Sequence, residues 1–432
     1  NVARFRHQVS QPDWPSGSSC KERSTGRGGL LRHLLSTCAW RDLGIEIPTS
    51  RTGAVGALEA KFVDYALECM HDFPLPSHRV TCLSERGVKT RVVTVGPAWA
   101  QVLGHAVRKR LLRGLRSCPG TFAPLVGADD DQLMELFRGG HAETLVSTDL
   151  TRASDMLPMD LVASIVDGLE ESGRLSPLEI EILRALTGPQ LLEYPGTAEP
   201  VLSSRGILMG LPTTWAVLSI IHLFWADEVR RTSPVGPLRK AHKIAICGDD
   251  ALLSTTERGA ARYREVVKQC GGEASDGKHF ESRGGANGTL RGVFLEKLLE
   301  FRIEEGRIGD GVRNGAIPVK GLTSTSLPRD FFSGTPVHCS SAGLVQIMSL
   351  DAIAAQNPCL VPACLKYVDR RVPWLRSFAT KALGLAPGHP LALGGFRFLP
   401  RTPESDALAC QVRDSGRSFS IAVRREVDPD WR

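Results

Sequence analysis

The chain has 432 residues, 42% hydrophobic and 23% charged, which is enough apolar content for a large core with several subdomains and more than one compact domain ordinarily holds. A net charge of +6 with pI near 8.8 permits a polyanionic partner without requiring one. Eleven cysteines with no Cys-x-x-Cys pair and no Cys/His quartet argue against a zinc site and a disulfide framework, and predict reduced thiols in an intracellular compartment.

The first residue is Asn1 rather than methionine, so a processed or partial chain is expected, and neither a signal peptide nor an arginine-rich presequence is evident. The opening stretch to about Arg27 is rich in Ser, Gly, Pro and charge and reads as an arm. Val88-Lys89-Thr90-Arg91-Val92-Val93-Thr94 alternates as a strand that sets Lys89 and Arg91 on one face. Cations at that spacing can clamp a triphosphate, although a solvated edge strand has the same pattern. Arg108-Lys109-Arg110, with Arg113 and Arg116, mark a basic helix that either lines a template channel or faces water.

Glu143-Thr144-Leu145-Val146-Ser147-Thr148-Asp149 is β-prone and ends in an acid; a turn to Asp155 and an amphipathic helix over 159–169 follow. A carboxylate at a strand end is positioned by the sheet, so Asp149 can join acids on a neighbouring strand at a metal. Asp149 and Asp155 also suit plain helix N-terminal positions. A glycine-rich loop, Arg205-Gly206-Ile207-Leu208-Met209-Gly210-Leu211-Pro212-Thr213-Thr214-Trp215, feeds an apolar run to Ala226, and no charged residue occurs from Gly206 to Ala226. Its uninterrupted part after Thr214 is only about 12 residues, the length of a buried core helix and too short for a membrane span. Gly210 would let backbone approach a nucleotide or template closely, with Thr213 or Thr214 touching a ribose; a simple N-cap accounts for the threonines equally well.

Gly248-Asp249-Asp250 lies between Ile244-Ala245-Ile246-Cys247 and Ala251-Leu252-Leu253, the pattern of a β-hairpin presenting an acidic turn. Two carboxylates on a rigid turn can hold hard divalent cations, and a surface hairpin tip looks the same when taken alone. Tyr263-Arg264-Glu265-Val266-Val267-Lys268 reads as a helix that ends before Gly271-Gly272, and Ser275-Asp276-Gly277-Lys278-His279-Phe280-Glu281-Ser282 follows it. Beyond Phe301, helical stretches at 342–348 and 365–382 are separated by Pro and Gly, without a readable motif or internal repeat.

The order of these elements resembles motifs A, B and C of viral RNA-dependent RNA polymerases. Asp149-Leu150-Thr151-Arg152-Ala153-Ser154-Asp155 and Met209-Gly210-Leu211-Pro212-Thr213-Thr214-Trp215 are most similar to the ourmia-like (botourmiavirus) polymerases, relatives of narnavirus and levivirus replicases, and the likeness extends from about Lys89 to Glu296. The resemblance implies that Asp149 and Asp249 hold catalytic metals, with Asp250 in support, and that the metal is Mg²⁺ with Mn²⁺ as the alternative. It implies that Asp155 senses the 2′-hydroxyl of the incoming nucleotide, which agrees with a carboxylate accepting from a hydroxyl that only a ribonucleotide has. No aromatic gate of the reverse-transcriptase kind occurs between Asp149 and Asp155. Lys89 and Arg91 look like motif F, Lys278 like the motif D lysine that protonates pyrophosphate, with His279 as the other candidate, and the 291–297 stretch like the motif E strand pair. One departure is plain: the asparagine that many of these enzymes carry in the motif B helix is replaced by Leu218 or Ser219, so Ser219 would supply a hydroxyl, or Thr213 and Thr214 act alone.

The implied fold is α/β (α+β), a right-hand polymerase with N-terminal arm and fingers at 1–140, motif A of the palm at 141–160, a fingers insertion at 161–200, palm motifs B to E at 201–300 and a helical thumb at 301–432. The implied function is RNA-directed RNA polymerase, replicating a positive-strand viral RNA genome by two-metal transfer of ribonucleoside triphosphates onto an RNA 3′-hydroxyl. RNA template, RNA product and NTPs are the expected partners, no protein partner is indicated, and the host cytoplasm is expected ahead of the mitochondrion. The rival readings are a reverse transcriptase or other palm nucleotidyltransferase, which would accept deoxynucleotides, and a catalytically silent RNA-binding protein.

Overall fold

The computed structural model describes residues 14–38, 54–85, 89–121, 130–275, 278–284, 288–295, 297–314, 349–351, 353–354, 358–374, 386–389, 395–396 and 399–414. The chain divides into two compact units, one of Asn1–Cys82 with Val92–Asn314 and one of Leu83–Arg91 with Gly315–Arg432. Residues 1–13 of the expected arm, Asp276, Gly277, Glu296 and the expected helix at 342–348 lie outside the described residues.

The first unit opens with α1 (Gly29–Thr37) and α2 (Ala54–Asp72), then β1 (Ser77–Glu85), β2 (Lys89–Val95) and α3 (Ala98–Arg116), residues 83–85 and 89–91 of the two strands being counted with the second unit. Helix α3 is the expected basic helix, and its amphipathic pattern explains its orientation. Trp99, Leu103, Val107, Leu111 and Leu115 recur every fourth residue and are buried, while Arg113 and Arg116 are exposed. Part of its basic face is committed to structure, since Arg110 donates to the Arg174 carbonyl at 2.9 Å and lies 3.6 Å from Glu179.

Next come α4 (Asp130–Phe137), β3 (Thr144–Thr148), the one-turn α5 (Ala153–Met156), α6 (Met159–Glu171) and α7 (Pro177–Thr187). Helix α7 starts where Ser176 and Glu179 each satisfy the other's backbone N–H in a capping box with Pro177 following, the local signal that stops α6 running on. Strands β4 (Leu191–Glu193) and β5 (Val201–Leu202) return to β1, giving a sheet of order β2-β1-β4-β5 in which β1 and β4 are parallel.

The remainder of this unit builds a second sheet around β3. Helix α8 (Thr214–Arg230) is followed by β6 (Lys243–Cys247), β7 (Asp250–Thr255), α9 (Glu257–Gln269) and β8 (Phe280–Arg283), and the sheet order is β6-β7-β3-β8 with every pair antiparallel. Strands β9 (Thr289–Phe294), β10 (Lys297–Glu304) and β11 (Arg307–Asn314) form a third, antiparallel sheet. All five residues of β3 are buried, because both faces of its sheet are covered. Leu145 packs with Leu252, Leu290, Phe294 and Phe301 on the β9–β11 side, and Val146 packs with Ile246, Leu253 and the residues of α8 and α9 on the other, as the period of two requires.

Helix α8 is the buried apolar helix that the 216–226 run predicts, and among the described residues no helix is long and apolar enough to cross a membrane. Its Trp225 is fully buried, and cutting it back to alanine would cost about 3–5 kcal/mol. The second unit holds α10 (Val361–Arg371), short parallel strands β12 (Ala386–Pro387) and β13 (Gly395–Phe396), and α11 (Pro403–Asp414), with His389 Nε2 2.7 Å from Asp406.

Candidate active site

The acidic turn is a two-residue hairpin loop. Cys247 pairs with Asp250 across β6 and β7, leaving Gly248 and Asp249 at the tip. Gly248 has φ +66° and Asp249 does not have a positive φ, the pattern of a type II′ turn with glycine at its first loop position. Glycine is required here twice over, because a Cβ at Gly248 would also stand 2.6 Å from Nε1 of Trp215.

Asp149 is the residue after β3, and β3 pairs with β7 in a register that sets Thr148 opposite Ala251. Extending that register by one residue puts Asp149 opposite Asp250, and facing residues of antiparallel strands have Cα atoms about 4.5–5.5 Å apart. The two acidic segments, a hundred residues apart in the chain, thus meet at one sheet end. The motif D-like loop is stapled to the same end. Ser275 N–H donates to the Asp149 carbonyl at 2.8 Å, Thr151 N–H donates to the Glu273 carbonyl at 2.8 Å, and Thr151 Oγ1 donates to Ser275 Oγ at 3.0 Å. Lys278 N–H then bonds the Ser275 carbonyl at 3.1 Å, which turns its side chain back so that Nζ donates to Asp149 Oδ2.

The electrostatics follow from that packing. The hydrogen bond to Asp149 raises the Lys278 pKa against a smaller opposing effect of burial, with the charges of Asp149, Asp250 and Asp249 adding to it, so the ammonium keeps its proton. Burial, then Asp250 and Asp249, push the Cys247 thiol up to about 11, so it stays a neutral thiol beside the turn. His279 Nδ1 lies 3.2 Å from Thr148 Oγ1 and its Nε2 3.4 Å from Glu281, whose carboxylate Arg264 pairs; burial and then Arg264 lower its pKa.

Among the described residues no three acidic, histidine or cysteine side chains are preassembled round one point as metal ligands. The donor chemistry nevertheless suits a hard cation: three carboxylates at one sheet end act on one bound cation, the Lys278 ammonium, which Asp149 holds directly. Closing Asp149, Asp249 and Asp250 on one metal requires side-chain rotation.

The glycine-rich loop runs beneath the Asp155 turn. Gly206 N–H donates to the Leu157 carbonyl and Ile207 N–H to the Ser154 carbonyl, both at 2.8 Å, and a Cβ at Gly206 would meet the Asp155 backbone at 2.9 Å. Asp155 itself is exposed on α5, after Arg152 at φ 48°. Gly210 presses on β2, where a Cβ would come within 1.8 Å of the Thr94 carbonyl oxygen, and its own carbonyl accepts from Gln101 at 3.0 Å. Lys89 opens β2 and Arg91, two residues on, is exposed.

The three hydroxyls expected at a sugar are all buried. Thr214 is buried and its hydroxyl donates to the Leu208 carbonyl at 2.6 Å, closing the loop. Ser219 is fully buried; its hydroxyl donates to the Trp215 carbonyl at 2.9 Å and accepts from Gly248 N–H at 3.1 Å. Both hydroxyls are therefore engaged with backbone, Thr214 within the glycine-rich loop and Ser219 under the hairpin turn. Thr213 is likewise fully buried, its hydroxyl without a hydrogen-bond partner.

The structure also adds residues that sequence reasoning passed over. These are Trp215 and His222, which lie with Ser219 on one face of α8 beneath the hairpin tip, and His222 Nδ1 reaches the Gly248 carbonyl at 2.9 Å while its Nε2 meets Tyr263 Oη at 2.7 Å. Burial holds the His222 pKa down to about 4, opposed by the bond to Gly248, so its ring is neutral at physiological pH. A histidine inside an otherwise apolar helix was the available signal.

No protein-family profile matches the chain. It is 42% identical over 314 residues to the RNA-directed RNA polymerase of Saccharomyces 20S RNA narnavirus, covering 69% of this chain and 37% of that protein. Identity to the RNA-directed RNA polymerase of Saccharomyces 23S RNA narnavirus is 32% over 310 residues, covering 66% of this chain and 32% of that one. The chain thus spans about a third of the length of the curated relatives it matches. Among solved structures, the RNA-dependent RNA polymerase of a human picorbirnavirus superposes with a TM-score of 0.50 at 14% identity, over 79% of this chain and 66% of that chain. Its insertion-loop deletion mutant gives 0.51 at 13% identity, over 81% and 64%. At such identities the likeness concerns the fold, which is the mixed helix and antiparallel-sheet fold of viral RNA-dependent RNA polymerases.

Proposed function

We propose that this chain, a relative of the narnavirus RNA-directed RNA polymerases, is itself the catalytic region of an RNA-directed RNA polymerase that joins ribonucleoside triphosphates to an RNA 3′-hydroxyl and so replicates a positive-strand viral genome. The observation that carries this reading is the β3–β7 register, which brings Asp149 to Asp250 at the sheet end where Lys278 is held. In this reading β3, β6–β8 and α8 form the palm, the β2-β1-β4-β5 sheet and its helices belong to the fingers, and residues beyond 314 form the thumb.

Asp149 and Asp249, with Asp250 in support, are the groups that would hold divalent cations, Mg²⁺ or Mn²⁺, whose charge makes a 3′-hydroxyl nucleophilic and offsets that of the leaving pyrophosphate. Asp155, exposed on α5, accepts a hydrogen bond from the 2′-hydroxyl of the incoming nucleotide. Gly210 keeps the loop flat against β2 at Thr94. Lys89 and Arg91 are the cations proposed for the triphosphate. Lys278 leaves Asp149 and donates its retained proton to the pyrophosphate. RNA template and product are the macromolecular ligands, and the host cytoplasm is the proposed compartment.

The test is incorporation of labelled ribonucleotides on single-stranded RNA with Mg²⁺, comparing the parent chain with Asp249→Ala. Incorporation by the parent and its loss in a folded variant support the assignment. Equal RNA binding by both with no incorporation by either would favour a silent RNA-binding protein, and deoxynucleotide incorporation at the ribonucleotide rate would favour a reverse transcriptase.

A further inference from the structure

The hydrogen bonds around His222 have only one consistent direction. Gly248's carbonyl can only accept, so His222 Nδ1 carries the ring proton and Nε2 is bare. A bare Nε2 must accept, so the Tyr263 hydroxyl gives its single proton to His222. The Tyr263 oxygen is then left facing the Thr148 hydroxyl, whose influence opposes burial in setting the Tyr263 pKa. The chain Tyr263, His222, Gly248 thus runs one way, with Thr148 at its Tyr263 end. Thr148, Tyr263 and His222 are all buried, so no water competes for these bonds.

Its two ends matter because of what adjoins them. Thr148 precedes Asp149 and Gly248 precedes Asp249. These contacts therefore run between the residues that precede the two acids, crossing from β3 through α9 and α8 to the hairpin tip. The chain ends on a peptide carbonyl, which has no proton to pass on and no affinity for one at neutral pH, so it is an orienting network and not a proton conduit.

We propose that Tyr263 and His222 are positioning residues that hold the Asp149 strand end and the Asp249 turn at the separation needed to bind divalent cations together. This rests on the polymerase reading for its purpose, but its central claim concerns cation affinity. Removing one outer partner of a metal site typically weakens binding or activity by about 10-fold to 100-fold.

The experiment titrates Mn²⁺ alone into the full chain, read by electron paramagnetic resonance of the free ion, for the parent, Tyr263→Phe, His222→Leu and His222→Asn, with melting temperatures recorded alongside. Phenylalanine keeps the buried ring and removes only the hydroxyl, and asparagine keeps a donor near the Nδ1 position. The expected result is Mn²⁺ affinity lower by about 10-fold or more in folded Tyr263→Phe and His222→Leu, with His222→Asn closer to the parent than His222→Leu. Ribonucleotide incorporation at fixed Mg²⁺ should fall in the same order, chiefly in kcat. A purely structural role would lower the melting temperature and leave Mn²⁺ affinity unchanged, which would overturn the proposal. A parent that binds Mn²⁺ but incorporates nothing sinks the polymerase reading and leaves the affinity comparison decisive for the network. A parent that binds no Mn²⁺ sinks both.

Discussion

Gly248→Ala is a small change with a large expected consequence. At φ +66° an alanine is held in the left-handed region, at about 1–2 kcal/mol. Its Cβ would stand 2.6 Å from Trp215 Nε1 and must withdraw to the ordinary 3.4 Å, a shift of about 0.8 Å. Trp215 sits on the buried helix α8, so most of that displacement falls on the turn, adding overpacking of about 1–3 kcal/mol. The sum, about 2–5 kcal/mol, is a substantial part of the 5–15 kcal/mol that about describes a whole domain's stability. The same shift strains the bonds of Gly248 to Ser219 at 3.1 Å and His222 at 2.9 Å, and displaces Asp249 and Asp250. Misplacing reacting groups by about 1 Å costs on the order of 100-fold in rate. Thermal unfolding and single-nucleotide incorporation would be measured together on Gly248→Ala and on Gly196→Ala. Gly196 also has a positive φ, 84°, but nothing stands within 4 Å of its Cβ position, so that variant should lose about 1–2 kcal/mol of stability and none of its rate. A Gly248→Ala protein that incorporates at the parental rate would refute the claim that the clash at Trp215 sets the position of the acids.

Three further outcomes are expected. Lys278→Ala should lower kcat by about 100-fold or more while leaving the KM for nucleotide nearly unchanged, because it removes a proton donor that acts in the transition state; an unaltered kcat would reduce Lys278 to a partner of Asp149. Asp155→Ala should raise deoxynucleotide use relative to ribonucleotide use by roughly 10–150-fold, the value of one charged hydrogen bond of about 1.5–3 kcal/mol, as read from competing single-nucleotide incorporations; an unchanged ratio would place sugar selection elsewhere. His78 and His222, whose pKa values burial lowers to about 4, are neutral in the folded protein and gain a proton on unfolding below their ordinary value. Their stabilising effect is full above about pH 6.5 and is lost as pH falls toward 4, at up to about 1.4 kcal/mol per pH unit for each ring. Denaturant unfolding of His222→Asn against pH should show a slope shallower by about one proton between pH 6 and 4.5, and an equal slope in variant and parent would contradict the burial argument.

Much of the chain's local architecture was legible in its residues. The apolar runs before and after Gly248-Asp249-Asp250 pointed to the hairpin, the charge-free run after Thr214 to a buried helix, and the glycine pair at 271–272 to the end of α9, because turns, periodicity and caps depend on neighbours only a few residues apart. The order of acids, glycine loop and hairpin likewise sufficed to show the family resemblance. What only the tertiary structure decided was which of these pieces meet and which side chains they bury. The β3–β7 register joins Asp149 to Asp250 across a hundred residues, and the parallel β1–β4 pairing returns the 161–200 stretch to the sheet of β2; neither follows from local pattern. Hydroxyl side chains were the least predictable, since Thr214 and Ser219 have the same chemistry exposed or buried, and only the fold showed them bonded to the Leu208 and Trp215 carbonyls. For the same reason His222 and Tyr263 read as isolated polar residues on apolar faces until the fold bonded them to each other and His222 to the Gly248 carbonyl, next to Asp249.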